Sequence, residues 1–129
     1  MKTPNQQQVW NNIACEWHEY KKFPATSTIG FLKKQKGNIL DFGSGSGRHL
    51  IKIKNGKMYL LDFSEKMIEL AKKKAKTENT KAEFAVSSMT KTPYENNFFD
   101  SAICISALHC LTKSEQKKAV KELYGILKP

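Results

Sequence analysis

Residues 39–47 read Ile39-Leu40-Asp41-Phe42-Gly43-Ser44-Gly45-Ser46-Gly47, and this stretch decides the fold. A short apolar run ends around Asp41, glycines then alternate with serines, and Arg48-His49-Leu50-Ile51 follows. Glycine at every second position lets a chain leaving a strand turn tightly, and it lets a ligand approach backbone with no Cβ in the way. The stretch predicts a strand over 39–42, a ligand-facing bend and a short helix over 48–53. The ligand it suits is nucleotide-like.

Working outward, Asn55-Gly56 stops that helix, and Met58-Tyr59-Leu60-Leu61 forms the apolar body of a second strand over 57–62. Ser64 is placed to cap a helix over 65–76, whose Met67, Leu70, Ala71 and Ala75 share one face. Lys72, Lys73, Lys74 and Lys76 near its end complement the helix dipole without any ligand. A third strand is expected over 81–86, and the nearly continuous apolar run 99–106 reads as a central strand covered on both faces. Thr112 and Glu115 have capping-box spacing ahead of a last helix with Val120, Leu123, Tyr124 and Leu127 as its buried stripe. Upstream, Val9, Ile13, Trp17 and Tyr20, with Trp10 and Ala14 beside them, predict an amphipathic helix over 5–21. A loop over 24–28 and a short helix over 29–34 lead to the Gly37-Asn38 turn. Strands alternating with helices give an α/β fold around a parallel sheet. We expect one domain over 1–129, with a helical segment over 1–36 and the core over 37–129.

Composition sets bounds on function. At 129 residues with 40% hydrophobic and 26% charged side chains, the chain reads as a small soluble domain. No apolar stretch approaches the ~20 residues that cross a bilayer, and the start of the chain has no signal core. A cytoplasmic setting and no membrane partner are expected. Cys15, Cys104 and Cys110 form no CxxC pair, so neither a metal centre nor a disulfide is expected. The net charge of +10 suits RNA or another polyanion, and equally a solvated lysine surface. Arg48 is the single arginine among these cations.

The glycines narrow the ligand. In the dinucleotide fingerprint GxGxxG the third glycine would stand where Arg48 does, and no Gly-Lys-Ser/Thr follows to make a phosphate loop. Asp62 closes the second strand 21 residues after Asp41, where a carboxylate can accept hydrogen bonds from ribose hydroxyls. At this point the sequence resembles the class I S-adenosylmethionine-dependent methyltransferases. Residues 39–47 resemble the family's first motif, and Leu61-Asp62-Phe63-Ser64-Glu65-Lys66-Met67 its second. Pro93-Tyr94-Glu95-Asn96-Asn97-Phe98-Phe99-Asp100 is similar to the approach to strand four, and Leu123-Tyr124-Gly125-Ile126-Leu127-Lys128-Pro129 to the helix end before strand five.

The resemblance implies a Rossmann-like three-layer sandwich with four parallel strands in the order 3-2-1-4, lacking the family's strands five to seven. The apolar fourth strand would then lie at an edge, for a protein partner or a second copy to cover. It implies S-adenosyl-L-methionine as cofactor. Asp41 would orient the methionine end over Gly43, Ser44, Gly45 and Gly47, while Asp62 would hold the ribose. Phe63 and Met67 would lie against the adenine. Ser88 stands where the family often has an acid that reads the adenine amino group, and Met89 would offer its backbone amide to the ring. Val9-Trp10-Asn11-Asn12-Ile13-Ala14 with Trp17, and Leu108-His109-Cys110, resemble the tRNA wobble-uridine methyltransferases. Those enzymes esterify a carboxymethyl group on the uridine and often work with a small activator subunit; where they usually have a second histidine, this chain has Cys110. His109, at the ligand-binding end of the sheet, is the catalytic or substrate-positioning candidate. His49 is a weaker one, and His18 reads as surface. Trp10, Trp17 and Tyr20 are candidates for a lid. A methyltransferase for a small molecule or protein, or a non-catalytic cofactor-binding subunit, is the alternative.

Overall fold

The computed structural model describes residues 5–20, 23–105 and 107–129, with Tyr20 described by its backbone alone. Its elements run α1 (Gln6–Tyr20), α2 (Thr26–Lys33), β1 (Gly37–Phe42), β2 (Gly56–Asp62), α3 (Glu65–Thr77), β3 (Ala82–Val86), β4 (Ser101–Ile103), a 3-10 turn (Leu108–Cys110) and α4 (Lys113–Ile126). The strands form one parallel sheet in the order β3-β2-β1-β4, as expected.

Alternate strand residues feed two cores, which is why Ile39-Leu40 in β1 and Met58-Tyr59-Leu60-Leu61 in β2 are apolar on consecutive positions. Ile39, Met58 and Leu60 enter one core with Leu32 of α2 and Ala71 and Ala75 of α3. Leu40, Phe42 and Leu61 enter the other with Phe99 and with Ala119 and Ile126 of α4. The result is three layers, helix on sheet on helix. Both principal helices start as their sequences dictate. Ser64 Oγ accepts the Met67 N–H at 3.2 Å. At α4, Thr112 Oγ1 accepts the Glu115 N–H at 3.2 Å while Glu115 Oε1 accepts the Thr112 N–H at 3.1 Å.

Four expectations are corrected. Residues 48–53 form no helix: after a Leu50 N–H to Gly47 carbonyl bond the chain runs irregularly. Leu50 is buried in the α3-side core and Ile51 and Ile53 pack against it, side chains a helix over 48–53 would have spread around its circumference. Strand four covers Ser101–Ile103 rather than 99–106, with Phe99 joined to Leu127 by a single parallel bridge. Its partner β1 turns away at Gly43, just beyond the Asp41–Ile103 pairing, so Cys104 and Ile105 have no ladder to join. Ser106 lies outside the described residues. The α4 stripe is corrected at two of its four positions: Leu123 and Leu127 pack on the core beside buried Ala119 and Ile126, whereas Val120 and Tyr124 are 54% and 84% exposed. His18 is half-buried rather than a surface residue, and its Nδ1 lies 2.7 Å from Ser46 Oγ.

Candidate cofactor site

The ends of β1 and β2, the loops after β3 and β4, and α1 together enclose a cleft of about 1080 Å³ counted out to its open mouth. The glycine bend forms its floor. Gly43 and Ser44 both donate their N–H groups to the Leu61 carbonyl at 2.9 Å, which docks the bend onto β2. Gly43 and Gly45 have φ of +83° and +57°, so glycine is needed where the bend reverses. A Cβ on Gly43 would come within 2.4 Å of Ala107 Cβ, whereas one on Gly45 would meet nothing within 4 Å. Gly45 thus leaves a stretch of backbone open on the cleft wall.

Two buried carboxylates face the cleft. Asp41 is 2% exposed and its Oδ2 has no hydrogen-bond partner. Burial, with the nearby Asp62 charge adding to it, lifts its pKa to about 7 against the opposing pull of Arg48 and Lys74. A buried acid without a partner for one oxygen favours an incoming cation. Asp62 is fixed differently: Oδ2 accepts the Gly45 N–H and Oδ1 the Ser64 N–H, each at 2.9 Å. Burial raises its pKa and these backbone donors oppose the rise. Each of its oxygens retains a lone pair for a further donor.

Asp41, Gly43, Ser44, Gly45, Asp62, Phe63, Met67, Ser88 and Met89 all line this one cleft. Gly47 does not: it sits behind the bend, where an added Cβ would lie 3.3 Å from Ala71 Cβ, and it lets α3 approach the sheet. His109 is exposed on the 3-10 turn and is not among the lining residues; its neighbour Cys110 is. His49 does line the cleft, and its Nε2 accepts the Ala25 N–H at 3.2 Å. Burial, with Arg48 and Lys74 adding to it, lowers its pKa to about 4, so it is a neutral structural hydrogen-bond acceptor.

Trp10 and Trp17 close the cleft from α1, edge to face with ring centroids 5.0 Å apart. The Tyr20 side chain of the expected lid lies outside the described residues. Gln6, Arg48, Ile105, Ala107, Leu111 and Glu115 also line the cleft and had not been singled out. Of these, Glu115 carried a signal, because its capping box places it at the first turn of the helix after β4. The described residues contain no cluster of His, Cys, Asp or Glu able to hold a metal. Among them no helix is long and apolar enough to cross a membrane.

Residues 39–129 match the methyltransferase domain family, and the chain belongs to it. The family makes S-adenosylmethionine the cofactor, and the cleft fits that group: an unpartnered buried acid at one end, bare glycine backbone between, and a second acid at the other. The chain is 34% identical over 92 residues to a tRNA (carboxymethyluridine(34)-5-O)-methyltransferase of Arabidopsis thaliana, a match covering 70% of this chain and 21% of that protein. A protein described as an S-adenosyl-L-methionine-dependent methyltransferase from Methanococcus maripaludis shares the fold with a TM-score of 0.72 at 22% identity, over 99% of this chain and 62% of the other. The methyltransferase bound to the Trm112 activator in a Haloferax volcanii complex matches with a TM-score of 0.74 at 20% identity, over 99% and 58%. The chain therefore spans about a fifth of its curated relative and less than two thirds of these structures.

Proposed function

We propose that this chain binds S-adenosylmethionine in the cleft and takes part in methyl transfer to tRNA, at the carboxylate of a modified wobble uridine, with a protein partner completing the enzyme. The observation that carries the reading is the pairing of Asp41 and Asp62 across one glycine bend. Asp41, its Oδ2 unsatisfied, takes the α-ammonium of the methionine part. Asp62, already oriented by two backbone N–H groups, takes the ribose hydroxyls. Phe63 and Met67 flank the base, and Ser88 and Met89 meet its edge.

When bound, the cofactor supplies a methyl group activated by its sulfonium charge. The protein's part is to hold donor and acceptor in line and to keep water out, which Trp10 and Trp17 serve from above. A carboxylate acceptor is ionised at neutral pH and needs no general base, so this chemistry does not require His109 in the cleft. The tRNA assignment draws on the curated relative and on the net charge of +10. The partner assignment draws on the Haloferax volcanii complex and on β4, which β1 pairs along one side only. The same reading places the protein in the cytoplasm.

Calorimetric titration with S-adenosylmethionine, S-adenosylhomocysteine and NAD tests the site. The two sulfur compounds should bind and NAD should not, and Asp62→Ala should remove binding. Unchanged affinity in that variant would refute the assignment. Methyl transfer to carboxymethylated tRNA, measured with and without an activator subunit, tests the substrate. Transfer to a small molecule or protein, unaffected by added tRNA, would move the acceptor to another class.

A further inference from the structure

The loop after β3 lacks the acid that would read a purine amino group, and Ser88 is committed to its own turn. Its Oγ lies 2.7 Å from Thr90 Oγ1 and accepts the Thr90 N–H at 3.1 Å. A different element brings a carboxylate to the same place. Glu115 of α4 lines the cleft, and it also lines the shallow hollow that continues past Phe63, Val86 and Ser88. That hollow is lined by neither Asp41 nor the glycine bend, so it marks the end of the cleft where the base would lie. Glu115 is held there by its own helix cap: Oε1 accepts the Thr112 N–H at 3.1 Å. Among the described residues no donor uses Oε2. The Thr112 N–H holds the Glu115 carboxyl below the usual glutamate range, so it is ionised at neutral pH. Helix and loop are also tied together, since Glu122 Oε2 accepts the Thr92 N–H at 3.3 Å.

We propose that Glu115 is the specificity-determining residue for the base of the cofactor, its carboxylate accepting an N–H from the purine 6-amino group. This rests on the reading above that the base lies between Phe63 and the Ser88–Met89 turn. A carboxylate accepts from a 6-amino group and repels a 6-oxo group, so the site selects adenosyl over inosyl compounds. The selection comes from α4, not from the loop after β3.

The test is calorimetric titration of the wild-type chain and of Glu115→Gln with S-adenosylhomocysteine and S-inosylhomocysteine. Glutamine keeps the size and the capping box of the native residue but offers an amide N–H to a 6-oxo group. The wild type should prefer the adenosyl compound by about tenfold or more, and Glu115→Gln should reduce that preference to about threefold or less. Thermal unfolding of the two proteins should coincide. An unchanged preference, or equal weakening of both compounds, would overturn the role of Glu115 alone. Failure of S-adenosylhomocysteine to bind the wild type would overturn the cofactor site together with it.

Discussion

Asp41 is costly to the empty protein. An aspartate in the unfolded chain titrates near 3.8, while burial and the neighbouring Asp62 put the folded value at about 7. Below about pH 4 the group is protonated in both states and costs nothing. As pH rises toward 7 the folded state loses stability relative to the unfolded one, and above about pH 7 the loss is complete. Asp41→Asn should therefore be more stable than wild type at about pH 8, by about 1–3 kcal/mol, and the difference should vanish near pH 4. Denaturant unfolding across that range checks it. The same substitution should abolish cofactor binding, a trade of function against stability. In the wild type, affinity should rise as pH rises toward 7, because Asp41 must ionise to meet an ammonium group.

At the scale of elements, α1 is attached mainly by hydrogen bonds. Gln7 Nε2 donates to the Phe63 carbonyl at 2.8 Å, Asn11 Oδ1 accepts from Ser64 Oγ and the Lys66 N–H, and His18 meets Ser46. Ala14 is the one described side chain of the helix that is fully buried. An element fastened this way opens at a lower cost than the strands beneath it. Asn11→Ala should remove about 1–2 kcal/mol of this attachment. Amide exchange over residues 6–20 should then rise about tenfold while β1 and β2 keep their protection, as followed by mass spectrometry. Cofactor release should quicken in parallel. The capped helices α3 and α4 were legible in the chain because Ser64 and Thr112 act within a few residues. The irregular segment 48–53 was not, since its path is set by the distant core that Leu50, Ile51 and Ile53 join.

The whole molecule carries its excess charge on both outer layers. Lys72, Lys73 and Lys76 are exposed on α3, and Lys113, Lys117, Lys118 and Lys121 on α4, on opposite faces of the sheet. Affinity for tRNA should fall steeply with salt, its logarithm losing about 0.7–0.9 per phosphate contact for each tenfold rise in salt. Filter binding at several ionic strengths measures this, and a flat response would argue for a solvated lysine surface. The sheet edge belongs to this scale as well. Along the described part of that edge the Phe99–Leu127 bridge is flanked by the Phe99 N–H to Ile126 carbonyl and Lys128 N–H to Phe99 carbonyl bonds, and the proposed partner strand would pair with Ser101–Ile103.

The sheet order came from the family resemblance; the sequence by itself determined the alternation of strands and helices, the glycine bend and the two acids near the ends of β1 and β2. Each depends on local chemistry: glycine where φ must be positive, apolar runs where both faces are covered, a carboxylate placed by strand length. Tertiary structure alone decided which polar groups share the cleft. It put Gly47 against α3, left His109 outside, half-buried His18 and buried His49 as hydrogen-bonding groups, and brought Glu115 and Ser88 to one hollow. Those outcomes depend on packing between segments far apart in the chain, which no spacing within one segment encodes.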